Sequence, residues 1–562
     1  MREEVIFSEL KEIINEKDRI SQDYSPEKWK AFEYSTGKCS GHMLVTPEDC
    51  YPEEISFDMN LKGIYNIYLC LPKLRSDNYI DIKLSGDLCY TGISASNHTP
   101  ANWTTEEFLE EVYWKTADLT NEKIIFKKPK SSWLFTTGIA WVRCTPADSV
   151  PAMPENRCMQ MHIDGDLPAM EINSSYEEYL MKLCPMKDSN VDFVSFEFSF
   201  EIDSFDKANR GHLLHMDKKW DEGNYNYIPK KDEIYKKAVE YAKKNNISIY
   251  AANRMQVSNF ITPFTRYGWN MKFVDDNPQY HLKTRTGTTV NLCSYAYPEV
   301  QDFVTEKFVD MVKLGFDGIS LIYHRGIHIG FDKPVIDRFK KLYPDIDPHC
   351  LPASDPRLHG VWCEFMNEFM SKLRKAVGNV KINVITDFSL ETSKNFGSDV
   401  EYWAKNGLVD SVSQAGMETF EVLDGCMDDN HHGFIDLEKY KKALAERTVV
   451  KRHYGTDMEK VCKHIPEFNR LKALYGIEVY STLPWVKSLM PEEYPEAIET
   501  LKRAGAEKFL SWNTNHLMTD LPEWYAVSRA GNDALDIPLR NFYRVLSFDG
   551  YDISQFHPNW RG

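Results

Sequence analysis

The sequence predicts an α/β protein: a (β/α)8 TIM barrel preceded by an all-β sandwich. Three observations predict it. From Cys158 onward, eight strand-like runs alternate with helical stretches, which fits a closed barrel of about 250 residues or more better than an open sheet. Before that point the chain is a series of short alternating runs broken by Pro, Asn, Asp and Gly, the pattern of a sandwich. Between the two, Pro146, Pro151 and Pro154 mark a linker.

Composition agrees with a globular enzyme-sized chain. Its 562 residues carry 84 acidic and 67 basic side chains, a formal charge of −17, with 42% hydrophobic and 27% charged residues. An acidic chain without a basic run lacks the field that displaces counterions from nucleic acid, so no nucleic-acid partner is expected. The opening MREEVIFSEL is charged from its second residue and no window reaches about 18 consecutive apolar residues. No membrane partner and a cytoplasmic location are therefore expected. The 12 cysteines show no CxxC pair or repeated spacing and read as reduced, mostly buried thiols.

Taken in order, residues 1–37 read as a charged, helical N-terminal segment. The sandwich is expected over 38–150, with strands at 64–71 (IYNIYLCL), 79–84, 112–114, 123–126 and 138–144 (GIAWVRC). The barrel is expected over 151–532, with strands at 159–163, 193–200, 247–252, 318–323, 382–386, 409–412, 477–481 and 508–512. Helices are expected at 233–245, at 298–314 where Pro298 opens the first turn, around Val361, Phe365, Phe369 and Leu373, and at 399–406, 437–446 and 492–503. A ninth strand-like run, 449–453, falls in an excursion before the seventh barrel strand. The tail 533–562 is expected to pack back on barrel or sandwich.

In a barrel the chemistry gathers at the carboxyl ends of the strands. Asp164 and Asp166 follow the first. The second, VSFEFSFEID, sets Val194, Phe196, Phe198 and Phe200 on one face and Ser195, Glu197, Ser199 and Glu201 on the other, with Glu201 nearer the end. Arg254 ends the third, His324 and Arg325 the fourth with Asp332 beyond, and Asp387 the fifth. Gln414 and Glu418 follow the sixth, Thr482 and Trp485 the seventh, and Trp512, Asn513 and Asn515 the eighth. An aspartate after a strand also serves as a helix cap, and an indole as core packing. The convergence of acids, arginines, histidine, asparagines and indoles on one face is what exceeds chance.

That inventory suits glycoside hydrolysis, which needs one carboxylic acid to protonate the departing oxygen and one carboxylate to attack carbon or activate water. Asp387, which ends a β-branched strand, is the first choice. The second acid is open among Asp332, Glu418 and Glu201. Asp164, Glu201, Arg254, His324, Arg325, Asn513 and Asn515 are the expected substrate-binding groups, with Trp485 and Trp512 as stacking platforms. The arginines favour a charged sugar such as a uronide, since guanidinium pairs bidentately with carboxylate. No HExxH or His-x-His at a strand end points to a metal, no glycine-rich phosphate loop to a nucleotide, and no GxSxG elbow to a serine triad. No cofactor is expected.

Four phrases in this order carry a resemblance: NLCSYAYPEV (291–300), GFDGISLIYHRG (315–326), NGLVDSV (406–412) and MPEEYPEAIETLKRAGAEKFLSWNTN (490–515). Together they resemble bacterial glycosyl-hydrolase-like barrel families related to the family ten and α-amylase superfamilies, over residues 158–529. The resemblance implies a catalytic barrel with a carbohydrate substrate, Arg325 as a substrate-orienting group and Asp332 as an acid/base, and the sandwich is similar to the accessory, often carbohydrate-binding, domains that accompany such enzymes. It also exposes a departure. Relatives carry an acid on the fourth strand in patterns like DGIxLDxxR, whereas here the run is Ser320, Leu321, Ile322, Tyr323, His324, Arg325. A carbohydrate-binding barrel without catalysis, or a TIM-barrel isomerase or lyase using His324 as base, are the competing expectations.

Overall fold

A computed structural model describes the chain apart from residues 1, 37–38, 47–49, 73–77, 95–106, 130–135, 152–155, 164–179, 181–182, 199–230, 259–270, 325–327, 353–354, 416, 423–450, 457, 485–492, 513, 515–520, 530–542 and 548–562. Eight parallel strands close a barrel: Met159–Ile163, Val191–Glu197, Ser248–Arg254, Gly318–Ile322, Lys381–Thr386, Ser411–Gln414, Glu478–Thr482 and Phe509–Ser511. The last pairs with the first, Phe509 opposite Met159. The fold class is the one expected from the sequence.

Alternation along each strand decides what faces the barrel axis. Met159, Met161, Ile163, Val194, Phe196, Ile319 and Leu321 face outward and join the helices in one large apolar core. Phe193, Ala252, Ile322, Ile385, Ala415, Tyr480, Leu510 and Trp512 form a separate inner cluster. At the amino end of the strands, Phe193 stacks on Tyr250 with centroids 4.1 Å apart and meets Tyr480 edge-on at 5.3 Å. Gly318 makes room for this aromatic floor, since a Cβ there would lie 2.7 Å from the Tyr250 ring. Above the floor comes a polar layer. Gln160 donates to Ser195 Oγ (2.8 Å) and Asn383 Oδ1 (3.0 Å), and Asn383 in turn donates to Ser411 and Ser413 (2.9 Å each). Ser320 closes the ring by donating to Asn383 at 2.7 Å. Burying these groups is tolerated because each finds a partner.

Outside the barrel, helices Lys231–Lys244, Pro298–Leu314, Lys333–Leu342, Pro356–Val377, Val400–Lys405, Met458–Tyr475, Tyr494–Arg503 and Leu521–Ser528 fill the connections. The expected helix at 437–446 lies outside the described residues. The excursion before the seventh strand contains a two-stranded sheet, Met417–Val422 paired antiparallel with Lys451–Thr456.

Three sheets precede the barrel, antiparallel throughout except where Ile20–Ser21 runs parallel to Trp29–Ser35. In the first, Ile64–Pro72 lies between Trp141–Pro146 and Glu107–Asp118. The tail returns to this sheet, where Tyr543–Ser547 pairs antiparallel with Glu107–Asp118. The helical reading of residues 1–37 is corrected: apart from Leu10–Ile13 and the 3-10 turn Lys17–Arg19, the segment supplies strands. Val5–Phe7 adds an edge beside Trp141–Pro146, and Trp29–Ser35 pairs with Ser40–Thr46. The physical reason is burial, since Trp29 and Tyr34 are enclosed in the core, which a solvated charged helix would leave exposed. The expectation of reduced thiols fails at one pair. Cys89 of the sandwich and Cys184, ahead of the second barrel strand, form a disulfide across a sequence separation of 95. Among the described residues no helix is long and apolar enough to cross a membrane.

Candidate functional site

The carboxyl ends of the strands bring four side chains into one cluster. On the first strand Gln160 faces inward, so His162 does too, one step nearer the mouth. On the second, Phe193, Ser195 and Glu197 share the inner face, which makes Glu197 its last inward residue. On the third, Tyr250, Ala252 and Arg254 do the same. The eighth contributes Trp512 directly above Leu510.

Glu197 is the centre of the cluster and only 4% exposed. Arg254 Nε lies 3.1 Å from its Oε1, and His162 Nε2 lies 3.4 Å from its Oε2. A carboxylate removed from water needs such compensation, since an isolated buried charge costs several kcal/mol, roughly. The fully buried His162 ring stacks face to face on the Trp512 indole, centroids 3.9 Å apart with the planes 1° from parallel, and His324 meets the same indole edge-on at 4.5 Å. Trp512, expected as a stacking platform, is instead buried, only 4% exposed, with one face covered by His162. Behind Glu197, the Asn253 amide donates to the Phe198 carbonyl and ties the exits of the second and third strands together.

Asp387 follows the fifth strand in the inward register of Asn383 and Ile385 and is half-buried. Its Oδ1 accepts from the Phe388 backbone N–H at 2.7 Å. The fifth strand stands three places round the barrel from the second, so Glu197 and Asp387 approach the mouth from different walls.

Asp332 sits elsewhere. It is fully buried at the N-cap position of Lys333–Leu342. One oxygen accepts from Lys283 N at 2.6 Å and the other from Gly330 N at 3.1 Å. Burial pushes its carboxyl above the ordinary range, against the opposing effect of bonds from Ser294, Lys283 and Gly330. These bonds clamp the fourth strand's loop to the hairpin strand His281–Lys283. Glu418 lies on Met417–Val422 with Gly455 opposite. Gln414 points outward, its amide donating to the carbonyls of Phe388 (2.8 Å) and Val461 (3.1 Å). Asp164, Glu201, Arg325, Trp485, Asn513 and Asn515 lie outside the described residues. Arg254, His324, Trp512 and Asp387 are thus the expected site residues that the structure sets at the mouth.

Sequence reasoning missed His162 and passed over Glu197. The signal for both was alternation: MQMHI sets Gln160 and His162 against three large apolar residues, and Glu197 occupies the same face as Ser195. Among the described residues no group of three or more His, Cys, Asp and Glu side chains is placed to hold a metal ion.

No family model matches the chain, and no curated protein matches it. Solved structures do. The α-galactosidase TtGalA of Thermus thermophilus, solved with p-nitrophenyl α-D-galactopyranoside, is 10% identical, covers 90% of this chain and 95% of its own, and has a TM-score of 0.33. A ruminal GH26 endo-β-1,4-mannanase is 9% identical over 90% of each chain, with a TM-score of 0.30. Tryptophan synthase from M. tuberculosis is 10% identical over 68% of this chain and 93% of its own, with a TM-score of 0.28. Glycoside hydrolases thus stand among the similar structures beside an enzyme of another class.

Proposed function

We propose that the chain hydrolyses a glycosidic bond at the barrel mouth, with Glu197 and Asp387 as the paired carboxylates. The observation that carries this reading is the setting of Glu197: a carboxylate 4% exposed, at the open end of a barrel, fixed by Arg254 at 3.1 Å and His162 at 3.4 Å. A buried acid held from two sides is costly to build and is oriented for use. Asp387, reached by solvent and on a different wall of the mouth, supplies the proton to the departing oxygen. Glu197 faces the anomeric carbon, where it attacks that carbon, or activates the water that does, as the bond to the departing oxygen breaks, and its negative charge stabilises the oxocarbenium character of the transition state. Arg254 compensates that charge before substrate arrives, and the His162–Trp512 stack fixes the wall behind it. The resemblance in the sequence implies a carbohydrate substrate, and a small oligosaccharide or glycoconjugate is the class that goes with the cytoplasmic location expected from the sequence.

Turnover of a panel of aryl glycosides by Glu197→Gln, Asp387→Asn and Asp332→Asn tests the assignment. The first two are expected to lose about 10²- to 10⁴-fold in kcat, while Asp332→Asn keeps its turnover at temperatures where it is folded. Unchanged turnover in Glu197→Gln overturns the pair. A parent chain inactive on every sugar favours the carbohydrate-binding reading, for which the missing acid of the fourth strand speaks.

A further inference from the structure

The sandwich meets the amino end of the barrel strands, opposite the mouth, and leaves a cleft of about 270 Å³ between the two. Its walls come from both domains. The sandwich brings Asp87 and Lys115. The barrel brings Lys187 from the turn before the second strand, Lys244 from the end of the helix before the third, and Arg529 just after Leu521–Ser528.

The charge of this lining runs against that of the chain. Acids outnumber bases 84 to 67 overall, yet the cleft holds four cations against one carboxylate. Asp87 is engaged by Lys115, whose Nζ lies 2.7 Å from Oδ1. Lys187 and Lys244 are exposed and form no ion pair among the described residues. Arg529 lies over the Tyr525 ring, 4.7 Å from its centroid, and Tyr525 packs against Tyr113 of the sandwich at 5.0 Å. The cleft thus sets a cationic rim over a base of buried, mutually packed aromatic rings. Domain junctions favour ligand sites, and a concave surface of one sign focuses its field on an oppositely charged molecule.

We propose that this cleft is a second ligand site, taking a sugar-sized molecule that carries an oxyanion, either a carboxylate or a phosphate. The hollow between the domains receives the sugar body and the cations receive the charge. Because the Cys89–Cys184 disulfide forms part of the lining, the bond that joins the domains also holds the cleft's shape. The site does not depend on the chemistry at the mouth.

Calorimetric titration of the full chain with sodium glucuronate, glucose 6-phosphate and neutral glucose tests it, repeated with the double variant Lys187→Glu/Lys244→Glu. Both lysines are exposed, so the variant is expected to unfold at the parent's temperature. The expected result is one-to-one binding of at least one anion, with no heat from glucose and about tenfold or greater weakening in the double variant. Binding of glucuronate alone identifies the carboxylate source, and binding of glucose 6-phosphate alone the phosphate source. Absence of binding by both anions overturns the proposal, as does a double variant that binds as tightly as the parent. The substitutions lie at the far end of the barrel from Glu197, so an anion held at the mouth would give that second result.

Discussion

The second barrel strand carries an acid at each end, and both meet cations. At the amino end, Asp192 accepts from Tyr480 Oη and Lys508 Nζ, each at 2.7 Å, and Lys508 also approaches Glu478 at 3.4 Å. Asp192 and Lys508 stay 31% and 25% exposed. At the carboxyl end, Glu197 is 4% exposed and Arg254 24%. The two pairs share a strand and a chemistry but differ in solvent. Water screens the lower one, which fastens the seventh and eighth strands to the second. The upper one holds a buried charge in place under the open mouth. Similar ion pairs at opposite ends of one barrel therefore serve different ends, and solvent access tells them apart.

The largest expected separation is in catalysis. Glu197→Gln abolishes most turnover of a cleaved aryl glycoside, whereas Asp192→Asn leaves kcat within about twofold of the parent, the difference between a group in the transition state and one outside it. Equal losses in both would erase the distinction. Stability sharpens it next. Arg254→Met leaves Glu197 buried without its guanidinium and is expected to cost about 2–3 kcal/mol in urea unfolding. That is below the range for a wholly buried pair because Arg254 itself reaches solvent. Lys508→Met should cost about 0–1 kcal/mol.

A pH titration separates mouth-side burial from both pairs. His328, fully buried behind the fourth strand between Tyr295 and Tyr323, has its pKa pushed down to about 4 by burial. Its folded value lies below its unfolded one, so the unfolded chain takes up the proton first as pH falls. The stability its neutral ring confers is full above about pH 6.5 and is lost progressively down to about pH 4, by roughly 3 kcal/mol. In His328→Gln the unfolding curve should lack that part of the acid-side decline; identical pH dependence in parent and variant would refute it. A last test is steric and lies at the floor. Gly318→Ala pushes a methyl against Tyr250 and should cost about 1–3 kcal/mol with unchanged KM, read by thermal unfolding beside steady-state kinetics.

The barrel was legible because its strands are short apolar runs punctuated by turn residues, and all eight fall within three residues of their expected starts. Helix Met458–Tyr475 was not, since Pro466 interrupts its pattern from within. The site was legible in part. Arg254, His324, Trp512 and Asp387 follow strands visibly. Glu201 looked nearer the end of its run than Glu197, but the strand ends at Glu197, because the alternating run VSFEFSFE continues in sequence beyond the last ladder partner, Ala252. His162 hid inside a strand of methionines. The pairings of Cys89 with Cys184 and of the tail with Glu107–Asp118 are long-range and leave no local spacing to read.

The most direct measurement is a crystal structure of Glu197→Gln soaked with mixed oligosaccharides. The expected density is a sugar ring at the mouth whose anomeric carbon lies between residue 197 and the Asp387 carboxylate. A sugar bound elsewhere, or an Asp387 turned away from a ring seated at the mouth, would contradict the assignment of these two acids.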